Sequence, residues 1–227
     1  MEARLGSFGF ALFALFAAVA CSSGNSAPHA AGKRPDAGHT PARGTPDATV
    51  PGQSALRFYT GVLDDTDARV GVVAAAHHAR LYFCGGDTTY RELSRWIPAA
   101  MGDGGELFPD RTAAMGWAVH ATVGEGLVSG SLATGDGGSH GFRATLVDAH
   151  TMAGLYEGTS PCGKVGLIVS QASPDDRPVS QGACIGANDI DIHQVNPVAP
   201  LAPGAAIQVE VADTLETLEL TPAVVAD

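Results

Sequence analysis

Positive charge is scarce in this chain. Its 227 residues include 13 Lys and Arg against 24 Asp and Glu, for a formal net charge of −11. The basic residues do not cluster, so the electrostatic footprint of a nucleic-acid-binding protein is missing. An acidic protein gains no attraction to an anionic bilayer either; the acidity reads as solubility and identifies no substrate. Catalytic signatures are also lacking. No histidine pair has H-x-x-x-H or H-E-x-x-H spacing, so no metal-ligand pattern is present. The Val128-Ser129-Gly130-Ser131 run does not match a nucleophile elbow, and no nucleophile is expected. Gly135-Asp136-Gly137-Gly138 lacks the Lys-Ser/Thr ending of a phosphate loop. No apolar run reaches the roughly 20 residues of a membrane-spanning helix.

What is present begins at the N-terminus, with MEARLGSFGFALFALFAAVAC. A short start carrying Arg4 leads into an apolar stretch from Leu5 to Ala20, broken by Gly6, Ser7 and Gly9. Small residues follow, then Cys21. This is the three-part layout of a secretory signal peptide. No basic stop-transfer cluster follows; the next residues are Ser22, Ser23, Gly24, Asn25 and Ser26. With cysteine directly after Ala18-Val19-Ala20, the stretch resembles a bacterial lipoprotein signal with its lipobox, Ala18 being a less usual choice than Leu. The resemblance implies that residues 1–20 are removed and that Cys21 becomes the N-terminus, carrying a diacylglycerol. Stable anchoring then takes two or three acyl chains, because one holds only marginally. In a Gram-negative cell, Ser22 after the cysteine implies sorting to the outer membrane.

From Ser22 to about Gln53 the chain is mostly Ala, Gly, Pro, Ser, Thr, Asp and His, with Val50 its only bulky aliphatic residue. Such a segment cannot bury enough apolar surface to offset its ordering entropy. Pro28, Pro35, Pro41, Pro46 and Pro51 favour extended backbone. The expected organisation is therefore a signal over 1–20, a lipidated cysteine and tether over 21–53, one β domain over 54–221, and a tail over 222–227. The domain, about 170 residues, is long enough for a sizeable core.

Within it, short apolar or alternating runs are separated by Gly- and Asp-rich turns, which predicts an all-β sandwich or partly open barrel of short antiparallel strands. Runs such as Arg69 to Ala76, Ala79 to Cys84, Gly126 to Ala133, and Gly163 to Gln171 read as strands, the last as a central one. One helix is predicted over 88–97 (TTYRELSRWI), capped by Thr88 or Thr89, with Tyr90, Leu93 and Ile97, or Leu93 with Trp96 and Ile97, on one face and Pro98 ending it.

Four residue groups then stand out together. They are Phe58-x-x-Gly61, Leu81-Tyr82-Phe83-Cys84-Gly85-Gly86, Trp96-Ile97, and Ala153-Gly154-Leu155-Tyr156-Glu157-Gly158. The series resembles uncharacterised secreted bacterial proteins with an F-x-G, Y-x-C-[DG]-G, W-[FI] and A-G-L-Y-x-G pattern, over about Leu56 to Val169. The resemblance implies a compact, mainly β, exported module and no particular chemistry. Cys162, Cys184 and the insertion around Asp175-Asp176 depart from it.

The remaining cysteines are Cys84, Cys162 and Cys184. An exported compartment permits disulfides, and three cysteines make one bridge and one thiol. Cys162–Cys184 is the preferred pairing and Cys84–Cys162 its rival. His77, His78, His120, His140, His150 and His193 read as polar loop and strand residues, and Asp64-Asp65-x-Asp67 as a plain turn rather than a calcium loop. No catalytic residue, metal ligand or cofactor is expected. The partners expected are the membrane, through lipid on Cys21, and an envelope protein. The functional expectation is a non-catalytic binding or interaction module of the cell envelope, and the alternative is an extracytoplasmic hydrolase or metal-dependent enzyme.

Overall fold

A computed structural model describes residues 55–111, 115–198, 201–202 and 206–225. The signal, Cys21 and the tether lie outside the described residues. The described chain is mainly antiparallel β-structure with almost no helix, in two barrels that follow one another in sequence.

The first barrel comprises eight strands: β1 (Arg57–Leu63), β2 (Arg69–Ala74), β3 (His78–Cys84), β4 (Arg95–Met101), β5 (Leu107–Pro109), β6 (Ala118–Val123), β7 (Leu127–Ala133) and β8 (Ser139–Leu146). They run in the order β5-β4-β3-β2-β1-β8-β7-β6. The sheet curls until β5 and β6 meet at one bridge, between Glu106 and Thr122. Alternation places Val70, Val72, Leu81, Phe83, Ile97, Val128, Leu132 and Phe142 inside, where they form its core. Phe83 meets Phe142 edge-on, with ring centroids 5.5 Å apart.

The second barrel is closed. Its strands are β9 (Gly154–Ser160), β10 (Gly163–Ser170), β11 (Val179–Ile185), β12 (Ile192–Pro197), β13 (Ile207–Val211) and β14 (Glu216–Pro222). They are ordered β10-β11-β12-β13-β14-β9, with β9 pairing back to β10. Val165, Leu167, Val169, Cys184, Val195, Val209 and Val211 fill it. Closure removes the exposed edges that an open sheet would present.

The two barrels pack outer wall against outer wall. Val73, Tyr82 and Cys84 of the first meet Leu155, Ile168, Ala183 and Ile185 of the second, and Ala223 of the C-terminal tail joins them. Strands at this junction are therefore buried on both faces. In β10, Val165, Leu167 and Val169 face their own core while Gly166 and Ile168 face the first barrel. Gly166 is required there: a Cβ would lie 2.6 Å from Tyr82 Cζ and 2.8 Å from Trp96 Cζ2.

The helix predicted over 88–97 does not form. Turns occupy 87–93, with a single helical hydrogen bond from Leu93 N–H to the Thr89 carbonyl at 2.8 Å, and β4 begins at Arg95. Two competitors explain the difference. The Asp67 carboxylate accepts from Gly86 N–H, from Thr88 N–H and from the hydroxyls of Thr88 and Thr89. It thereby takes the side chains that would cap a helix. Then β3 claims the second half: Tyr82 pairs with Trp96 and Leu81 with Ile97. Trp96 and Ile97 consequently point to opposite faces, one to the junction and one to the core. Pro98 is tolerated because its backbone faces the end of β5, where its carbonyl accepts from Asp110 N–H.

Candidate functional site

The seam between β5 and β6 is where the first barrel is unfinished. Gly105, at φ +84°, turns its carbonyl to accept from Val123 N–H at 2.8 Å. The Glu106–Thr122 bridge follows, and beyond it the two strands part. A groove of about 1080 Å³ opens there, lined by Glu106, Phe108 and Pro109 on one bank and by Trp117, His120, Thr122, Ser129 and Ser131 on the other.

The lining follows from strand alternation. Leu107, Val119, Val123, Val128 and Leu132 turn inward, so Phe108, His120, Thr122, Ser129 and Ser131 turn outward. Within the polar bank the pairing register sets His120 opposite Ser131 and Thr122 opposite Ser129. Directly opposed residues on one face have Cβ atoms about 5 Å apart. The result is a two-by-two patch of three hydroxyls and an imidazole. Stepping two residues from Glu106 and two back from Thr122 brings Phe108 level with His120, and the Phe108 ring is 61% exposed. Trp117 stands at the end of the groove, held edge-on to Phe83 at 6.0 Å and covered by the Arg95 guanidinium at 4.5 Å.

The residues singled out in the sequence go elsewhere. Cys21 lies outside the described residues. Cys162, in the β9–β10 turn, is joined to Cys184 of β11 by a disulfide with a Cα–Cα distance of 6.3 Å. Cys84 is a buried free thiol at the junction, pushed up to about 11 chiefly by burial. His193 pairs with Asp213 at 2.8 Å. Among the described residues no group of three His, Cys, Asp or Glu is placed to hold a metal ion. Asp67 ties down the 85–94 loop instead; its partial burial is outweighed by hydrogen bonds from Thr89, Thr88 and Gly86, which hold its carboxyl below the usual range. One pentapeptide, Gly137-Gly138-Ser139-His140-Gly141, does carry G-x-S-x-G spacing. It leads from the β7–β8 hairpin into β8, so the strand–turn–helix setting of a nucleophile elbow is absent.

The aromatic and cysteine positions of the resemblance series lie mostly at the junction. Phe58, Tyr82, Cys84, Trp96 and Leu155 all pack there. A second cluster that no sequence spacing announces also sits at the junction. Arg80 reaches Glu157, Lys164 lies 3.2 Å from the same carboxylate, and both cations cover the Trp96 ring at 4.5 and 4.6 Å. The Arg80–Glu157 contact spans 77 residues of sequence. Arg80, Lys164 and Glu157 satisfy one another's charges and help hold the barrels together, whereas the seam groove is open to solvent. No family model, curated protein or solved structure matches this chain.

Proposed function

We propose that this protein is a lipid-anchored component of the cell envelope that works as a non-catalytic binding module. The observation that carries the binding reading is the seam groove. An otherwise continuous barrel wall is interrupted over two short strands, and the gap presents an exposed aromatic ring beside a set of convergent polar side chains. The chemistry of that lining suits recognition: three hydroxyls and an imidazole donate and accept hydrogen bonds, and the ring supplies apolar area. The anchoring reading is supported by the N-terminal sequence ending in Ala18-Val19-Ala20-Cys21. A tether of about thirty residues would let the domain search its surroundings while remaining held to the membrane.

Each half has its own test. Labelled palmitate is expected to enter the full chain and to be lost in Cys21→Ala; equal labelling of both would remove the anchor. For the groove, a photo-crosslinking amino acid is placed in living cells at Phe108, at His120, or at Leu215, which is 70% exposed on a turn of the second barrel. Adducts at the first two positions and none at Leu215 are expected. Equal yields at all three sites would overturn the groove as the binding site.

A further inference from the structure

We infer that the ligand of the seam groove is a neutral saccharide, held with one face of a sugar ring against Phe108 and its hydroxyl edge against the polar bank. This rests on the binding-module reading and names its ligand class. Three features of the groove converge. First, Phe108 is 61% exposed on a short strand whose neighbour Leu107 is buried, so the ring is presented to the groove and contributes nothing to the core. A flat apolar surface of that size matches the C–H face of a pyranose ring.

Second, the facing bank is made of small hydroxyl side chains, with His120 opposite Ser131 and Thr122 opposite Ser129. Each hydroxyl both donates and accepts, and the imidazole presents two nitrogens. That grid is complementary to the hydroxyl groups along a sugar's edge, which carry the same dual capacity. An apolar peptide or acyl chain would leave these groups desolvated and unpaired, at a cost of about 1–3 kcal/mol each. Third, the lining carries no excess of charge: Glu106 and Arg111 stand on the same bank with opposite signs. A uronate or phosphorylated ligand gains no net attraction from that pair, whereas a neutral ligand needs none.

The test is calorimetric titration of the full chain with maltotetraose, cellotetraose and chitotetraose, and with tetragalacturonate as the anionic comparison. At least one neutral probe is expected to bind. Phe108→Ala and Ser131→Val are each expected to weaken it about tenfold with unchanged melting temperature, as loss of one stacking face or one hydrogen-bonding group entails. Leu215→Ala should change nothing. Three results would overturn the inference. One is no heat with any neutral probe, another is tighter binding of tetragalacturonate than of every neutral probe, and the third is affinities unchanged by both groove substitutions. Absence of saccharide binding together with protein adducts at Phe108 and His120 would sink the saccharide and leave the binding module standing. Saccharide binding indifferent to both groove variants would sink the placement of the site itself.

Discussion

Arg80 and Glu157 meet fork to fork across the junction of the two barrels, Nη1 to Oε1 at 2.9 Å and Nη2 to Oε2 at 2.7 Å. Their side chains are 14% and 16% exposed. Val224 completes the unit, its N–H donating to Glu157 and its carbonyl accepting from Arg80. One carboxylate thus joins a strand of each barrel to the C-terminal tail.

That arrangement makes stability depend on acid. Burial alone would raise the Glu157 carboxyl, but the hydrogen bonds from Arg80 and Val224 and the charges of Arg80 and Lys164 outweigh it and bring it from 4.5 to about 2. In the unfolded chain the carboxyl titrates at its ordinary value, so on acidification the unfolded state takes up the proton first. The stabilisation is fully present above about pH 4.5 and is lost as pH falls through about 2. Urea midpoints measured between about pH 6 and pH 2 should fall in that window. Glu157→Gln should lower stability at neutral pH by about 1.5–3 kcal/mol, as for hydrogen bonds to charged groups, and should flatten the acid limb. An acid limb equally steep in both proteins would mean that other carboxylates cause it.

Tyr82 and Gly166 give a second expectation at the same junction. The buried Tyr82 hydroxyl accepts from Ala183 N–H at 2.9 Å and can donate to the carbonyls of Gly166 or Ala183 at 3.3 Å. Tyr82→Phe removes this buried acceptor and should cost about 0.5–1.5 kcal/mol, the usual net worth of one hydrogen bond. Gly166→Ala should cost at least as much, since the new methyl would displace both the Tyr82 and Trp96 rings. Denaturant midpoints for the two variants decide this. A Gly166→Ala protein as stable as its parent would mean that the barrels are not packed wall to wall at this point.

Much of the β architecture was legible because local chemistry dictates it. The turns at Gly124-Glu125-Gly126 and Thr134–Gly138 punctuate strands whose alternation matches one buried face, as in β6 and β7. The apolar runs of β2 and β10 do not alternate, and that was the visible trace of the junction: each is covered on both sides, by its own core and by the other barrel. A run buried twice reads the same whether one sheet covers it or a second barrel does, so two barrels were not separable from one domain. The 88–97 segment failed for a related reason. Its i, i+3, i+4 apolar spacing fits a helix, yet partners far away in sequence, Asp67 and β3, decided its conformation. The groove was hidden because Phe108 becomes conspicuous only once Leu107 is known to point inward. The polar bank depends on the β6–β7 register, which composition does not specify.

Asp67 offers a direct check on that override. If its carboxylate is what organises the 85–94 loop, Asp67→Ala should loosen the loop while both barrels persist. Hydrogen exchange at the Gly86, Thr88 and Leu93 amides should rise well above that of neighbouring β3 amides, and global stability should drop by about 0.5–1 kcal/mol, since these bonds are largely solvent-exposed. Unchanged exchange at all three amides would show that β3–β4 pairing alone holds the segment.

The cysteines supply a chemical test of how the chain is stapled and packed. With Cys162 and Cys184 bridged, the described domain has a single thiol, Cys84, fully buried beside Tyr82 and Ser94. Burial raises that thiol to about 11, so near neutral pH almost none of it is the reactive thiolate. In a Cys21→Ser chain, iodoacetamide should therefore label nothing under native conditions, one cysteine after unfolding without reductant, and three after reduction. Fast native labelling of Cys84 would mean that the junction opens. Three labelled cysteines without reductant would mean that the bridge is absent in the protein as made. Because the 162–184 link ties the β9–β10 turn to β11, its reduction should lower the stability of the second barrel by about 2–4 kcal/mol, as for a short closed loop, and this should appear as a lower thermal midpoint in reductant.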